Sequence, residues 1–191
     1  MKDFLTNLRV IIKWALVPYK HGSTHKKISK SERDKANKSE KLWGNQMIGA
    51  TNNVQWTTKL GESLVKEVLI KYHNKNVTKP KKKEHYEPDW ETDDCIWEVK
   101  TRNWTTSGTI GEKVFGVPYK YSDIPILYGK PLKIVCVGYQ EWEFTYGNTR
   151  VFGDDISDTK KNMLQFWESM DIKFIKFSDL ITPEILSVLY H

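Results

Sequence analysis

The stretch Pro88-Asp89-Trp90-Glu91-Thr92-Asp93-Asp94-Cys95-Ile96-Trp97-Glu98-Val99-Lys100 decides how this chain is read. Apolar and aromatic residues on both sides of Asp93-Asp94 predict two strands, over 86–92 and 95–102, joined by a tight turn. Side chains of a strand alternate between faces, so Ile96, Glu98 and Lys100 share one face. Cys95, Trp97, Val99 and Thr101 take the other, apolar face and anchor the strand to a core. With Asp93 and Asp94 as the turn residues, Asp89 falls directly opposite Glu98. Opposed Cβ atoms lie about 4.5–5.5 Å apart, and two carboxylates at that separation repel unless something positive stands between them. A hard divalent cation such as Mg²⁺ suits the place, because it takes a few carboxylates together with water and phosphate oxygens. Lys100 would stand beside it, where an ammonium orients water or stabilises charge on phosphorus.

Upstream, Leu60, Leu64, Val65, Val68, Leu69 and Tyr72 recur at helical spacing behind Thr58 as an N-cap, which predicts a helix to about His73. Glu62 lies in its first turn, where helix electrostatics alone would favour an acid; beside Asp89 and Glu98 it becomes a third carboxylate for a second metal or a water. Downstream, a short helix is expected near 111–115, a buried strand over 132–139, a helix over 159–170, a strand over 172–177 and a capped terminal helix over 178–190. Mixed strands and helices make the class α/β or α+β, a central mixed β-sheet flanked by helices.

The combination resembles the PD-(D/E)XK nuclease family: Pro88-Asp89, then Glu98-Val99-Lys100 after eight residues, with an acidic helix upstream. The resemblance covers roughly Glu62 to Tyr139 and implies a restriction-endonuclease-like core and Mg²⁺-dependent hydrolysis of a DNA phosphodiester. It makes Asp89 and Glu98 metal ligands, assisted by the main-chain carbonyl of Val99. Lys100 would position the attacking water and Glu62 would be the auxiliary acid, with one or two Mg²⁺ per site and a 5′-phosphate product. The family places a strand between the acidic helix and the Pro-Asp strand; here that interval is the lysine-rich 74–86. A small chain with no ATPase or methylase motif is most similar to a type II restriction endonuclease, which implies a homodimer on double-stranded DNA. Repair or junction-resolving nucleases of the same fold, an RNA-directed nuclease and a non-catalytic DNA-binding module are the alternatives.

The rest of the sequence fits such partners. The chain has 191 residues, 30 Lys+Arg against 24 Asp+Glu and a net charge of +6, which tilts the partner towards nucleic acid or another anionic surface. With 39% hydrophobic residues and eight tryptophans, wholesale disorder is excluded. The longest apolar run, 10–17, contains Lys13 and is too short to span a bilayer; with no cleavage site after it, a cytoplasmic protein is expected. Cys95 and Cys136 sit in apolar strand-like runs and read as buried free thiols. Residues 1–56 read as an amphipathic helix followed by a basic arm at 20–41, and 57–191 as the core, all within one compact domain. Arg102, Asn103, Trp104, Thr105, Thr106, Ser107 and Lys113, just past the active strand, are candidate DNA contacts, as is the run Lys81, Lys82, Lys83; Tyr119, Lys120 and Tyr121 could extend that surface. Glu91 shares the Asp89 face and reads as a solvent-facing acid, with a spare acid of the site as the alternative; Trp97 reads as core, and His73 and His85 as surface or DNA-facing residues.

Overall fold

A computed structural model describes residues 2–17, 29–50, 55–105 and 110–190 of the chain. The Asp93-Asp94 turn closes with Thr92 N–H donating to the Cys95 carbonyl at 2.9 Å. It joins β1 (Trp90–Glu91) to β2 (Ile96–Arg102), antiparallel, with Trp90 opposite Trp97 and Glu91 opposite Ile96. That register is the one the turn predicts, but the pairing stops at Trp90, and Asp89 lies outside the paired residues. The first strand is far shorter than 86–92, however. Pro88 has no N–H for a ladder, and Asp89 bends out to use its side chain on Val99 instead. The strand that would precede it is reduced to one bridge, Thr78 with Glu91, whose two N–H···O bonds are each 2.9 Å.

On its other edge β2 pairs parallel with β3 (Leu132–Gly138), and β3 pairs parallel with β4 (Ile172–Lys176). Among the described residues this gives a four-stranded mixed sheet in the order β1-β2-β3-β4. β3 is apolar apart from Lys133 because both of its faces are covered. One face carries α1 (Lys2–Leu16), α2 (Lys30–Met47) and α3 (Trp56–His73), which bury Ile11, Ile12, Leu60, Leu64 and Val65 with Trp97, Val99, Val135 and Val137. The opposite face carries α4 (Ile110–Phe115), α5 (Val117–Lys120) and α6 (Ile124–Tyr128), followed by α7 (Tyr139–Tyr146) and α8 (Asp158–Ser169). There Ile96, Ile134, Cys136 and Phe174 meet Val114, Val117, Ile124 and Phe144. The fold is therefore a mixed α/β sandwich, helices on both sides of the sheet. Cys95 and Cys136 are buried and unpaired.

Several boundaries differ from expectation, each for a local reason. The helix of 57–73 begins at Trp56, so Gln55 and not Thr58 stands at its cap. Tyr139 does not extend β3. Gly138 adopts φ 65° and turns the chain directly into α7, and a side chain there would crowd the Arg102 carbonyl at 3.1 Å. The terminal stretch 178–190 is two pieces, a 3-10 turn at Phe177–Leu180 and α9 (Pro183–Tyr190), because proline starts a helix readily but cannot lie inside one. Of the basic arm, residues 20–28 lie outside the described residues, while the remainder is α2, opened by a capping box between Ser29 and Glu32.

The N-terminal helices belong to the same core as the sheet. Gly44 of α2 lets the Trp56 indole lie against the helix backbone; any Cβ at Gly44 would overlap that ring. Trp14, Trp43 and Trp56 cluster around it, with ring centroids 5.6, 5.9 and 6.4 Å apart. Glu40, also on α2, is buried and accepts hydrogen bonds from Trp14 Nε1 (3.5 Å), Asn103 Nδ2 (2.8 Å) and Thr105 Oγ1 (3.3 Å). No helix among the described residues is long and apolar enough to cross a membrane.

Candidate active site

Three carboxylates meet at the edge of β2 left open where β1 ends. Asp89 is placed by its own hydrogen bond: Val99 N–H donates to Oδ2 at 2.7 Å. Glu98 points from β2 into the second layer and is almost fully buried, at 3% exposure. Lys100, two residues on and on the same face, donates through Nζ to Glu98 Oε1. Glu62 comes from the first turns of α3, which crosses the strand closely because Gly61 has no side chain to meet Thr101. The Trp90 indole ties the helix to the hairpin, its Nε1–H donating to the Glu62 carbonyl at 2.9 Å.

The acids feel one another. Burial pushes the Glu62 carboxyl up to about 7, reinforced by the charge of Asp89 and by a proton shared with it, while Lys79 opposes the rise. Burial also raises Glu98, the Asp89 charge adds to it, and Lys100 counteracts both. The Tyr121 hydroxyl approaches the same carboxylate; burial first and then the Glu98 charge hold its proton on.

These groups fit a hard cation in one specific respect. Glu98 Oε2 is buried without a hydrogen-bond partner, an expensive condition for a carboxylate oxygen beside two more acids. The second oxygen of Asp89, Glu62 and the Val99 carbonyl would complete the donor set. Strand alternation directs that carbonyl to the same open edge as the Val99 N–H. The described residues hold no ready cage of three or more His, Cys, Asp or Glu side chains. Hydrogen bonds from Val99 and Lys100 already engage one oxygen each of Asp89 and Glu98, so a cation would take the free oxygens.

The other expected site residues are scattered. Arg102 is buried, its guanidinium 5.0 Å from the Tyr139 ring centroid. Asn103 and Thr105 turn inward to Glu40, so they join the annex to the strand and present no surface to a ligand. Trp104 is half-buried, Lys113 is exposed, and Thr106 and Ser107 lie outside the described residues. Lys81 is exposed; Lys82 pairs with Glu87 at 3.3 Å, and Lys83 folds back to the Leu127 carbonyl at 2.6 Å. Tyr119 and Lys120 are exposed, whereas Tyr121 faces the acids. Glu91 is bound to Lys130 at 2.7 Å and is not a free solvent-facing acid. Trp97 is core, as expected. His73 is not simply a surface residue: its Nε2 lies 2.7 Å from the Leu180 carbonyl. His85 is exposed and packs on Tyr86 with centroids 4.0 Å apart.

Sequence reading misses Lys66, Lys79 and Glu40. Lys79 belongs to a loop whose path no periodicity reports, and Glu40 sits in a charged helix that reads as solvated along its whole length. Compared with known proteins, the chain matches no family model, no curated protein and no solved structure.

Proposed function

We propose that the protein is a Mg²⁺-dependent endonuclease of double-stranded DNA, built on a restriction-endonuclease-like core of the PD-(D/E)XK kind. The observation that carries this reading is the buried carboxylate of Glu98, coupled by charge to Asp89 and through it to Glu62, with Lys100 on one oxygen and the Tyr121 hydroxyl approaching the same carboxylate. A purely structural sheet edge would not retain three mutually repelling acids next to a lysine.

Asp89, Glu98 and the Val99 carbonyl would hold the cation, with Glu62 as an auxiliary ligand. When bound, the ion supplies a Lewis acid for the phosphoryl oxygen and a more acidic water. Lys100 holds its ammonium beside the reacting phosphate, orienting the water and offsetting negative charge as it develops. Glu62, on the helix beside the cation, would hold the attacking water through its carboxylate, and the proton of that water passes to solvent. The water oxygen bonds to phosphorus as the bond to the 3′ oxygen breaks. The departing oxygen acquires a proton from solvent, leaving a 5′-phosphate. The positive surplus of the chain favours the polyanionic substrate. A type II restriction enzyme acting as a homodimer, one site per strand, is the form we favour.

Incubating the protein with a long natural DNA and Mg²⁺ tests this. Discrete fragments bearing 5′-phosphates, lost with chelator, support a site-specific endonuclease; a smear points to a repair or junction enzyme of the same chemistry. Salt-sensitive binding without cleavage would leave only a DNA-binding module.

A further inference from the structure

Beside the carboxylates lies a second, oppositely charged feature. Lys66 is one helical turn beyond Glu62 on α3, and Lys79 enters from the loop before the hairpin. Both ammonium groups lie over the same Trp90 indole, 4.9 Å and 5.4 Å from its ring centroid. The two ammonium groups are therefore no more than about 10 Å apart, about a Debye length at 0.1 M salt. The platform is anchored to the site backbone on both sides. Trp90 Nε1–H donates to the Glu62 carbonyl at 2.9 Å, and Lys79 Nζ donates to the Asp89 carbonyl at 3.0 Å.

Charge balance accounts for the pair only in part: Lys79 favours the ionised form of Glu62, and Lys66 has no such acid against it. Among the described residues neither lysine forms a salt bridge, although Lys75, Lys82, Lys100 and Lys130 each do. Lys79 hydrogen-bonds a main-chain carbonyl and no carboxylate, and the residue is exposed. Two like charges held against one indole, next to a cation-seeking cluster, call for a ligand with repeated negative charge. One phosphate at the carboxylates with its neighbour on the lysines satisfies both halves.

We infer that Lys66 and Lys79, carried on Trp90, form a clamp for a DNA backbone phosphate adjacent to the one that is hydrolysed. This rests on reading the carboxylate cluster as a nuclease centre. Phosphate contacts of this type fix register without reading sequence, so the clamp would act equally on all duplexes.

The test is anisotropy of a fluorescently labelled synthetic duplex, in chelator so that nothing is cut, over a salt series. Removing one cation that neutralises a phosphate lowers the slope of log affinity against log salt by about one. The Lys66→Ala/Lys79→Ala protein should therefore bind more weakly, with a slope reduced by about one for the single phosphate the clamp holds, and Lys66→Ala/Lys79→Arg should recover much of that reduction. A merely structural role would instead lower the melting temperature and leave the slope intact. A folded double variant with the parent's affinity and slope, from a parent that cuts DNA, overturns the clamp alone. A parent that neither binds nor cuts DNA overturns the nuclease reading and the clamp with it.

Discussion

Gly61 and Thr101 touch at a separation that only glycine permits: a Cβ on Gly61 would overlap the Thr101 side chain. This approach brings α3 down onto β2, setting Glu62 within reach of Asp89 and Glu98. Gly61→Ala should lower stability by about 1–3 kcal/mol as overpacking pushes helix and strand apart. Urea denaturation measures it. The same variant should cleave more slowly, because Glu62 moves with the helix.

Asp89→Asn keeps an oxygen able to accept the Val99 N–H but removes one of the charges that crowd Glu62 and Glu98. The variant should be at least as stable as the parent in thermal denaturation while losing cleavage. Stability gained where activity is lost is the usual signature of a site organised against folding. A marked drop in melting temperature would mean that Asp89 serves the fold first.

Divalent cation binding is measurable without any substrate. At Mg²⁺ ten times its dissociation constant the parent should gain about 1.4 kcal/mol, seen as a raised melting temperature. Asp89→Asn and Glu98→Gln should show much less of this rise.

The metal-free protein should also carry a pH signature. Glu62 in the folded state ionises near 7, against about 4.3 for glutamate in an unfolded chain. Between those values the folded protein holds a proton that the unfolded chain has released, so stability falls as pH rises from about 4.5 to 7. In chelator, denaturation across that range should show the decline in the parent and a flatter profile in Glu62→Gln.

The annex can be tested through Glu40. Its carboxylate accepts from Trp14, Asn103 and Thr105 inside the protein, so Glu40→Ala strands several buried donors. A destabilisation of about 2–4 kcal/mol is expected by calorimetry. An unchanged stability would mean that the N-terminal helices are dispensable to the core.

The hairpin is legible in the sequence because two constraints act together. A two-residue turn fixes register, and strand alternation fixes faces, so the Trp90–Trp97 pairing, with Glu98 and Lys100 on one face, needs no tertiary information. The apolar face of Trp97 and Val99 is readable in the same way. What escapes depends on neighbours distant in sequence. Lys79 reaches Trp90 and Asp89 through a loop without periodicity, and Glu40 is met by Trp14 of α1 and by Asn103 and Thr105 beyond β2. Asn103 and Thr105 look like surface polar residues because nothing local announces a buried carboxylate to receive them. The shortness of β1 is hidden for a different reason: Pro88 draws the eye as half of a Pro-Asp motif, while its missing N–H works against a strand there.

The most direct measurement is single-turnover cleavage of one labelled duplex by the parent, Asp89→Asn, Glu98→Gln and Lys100→Ala in Mg²⁺. The expected result is a parent that cuts to 5′-phosphate ends and three folded variants slowed by about a hundredfold or more. Cleavage by Asp89→Asn and Glu98→Gln at the parent's rate would contradict a catalytic role for this cluster.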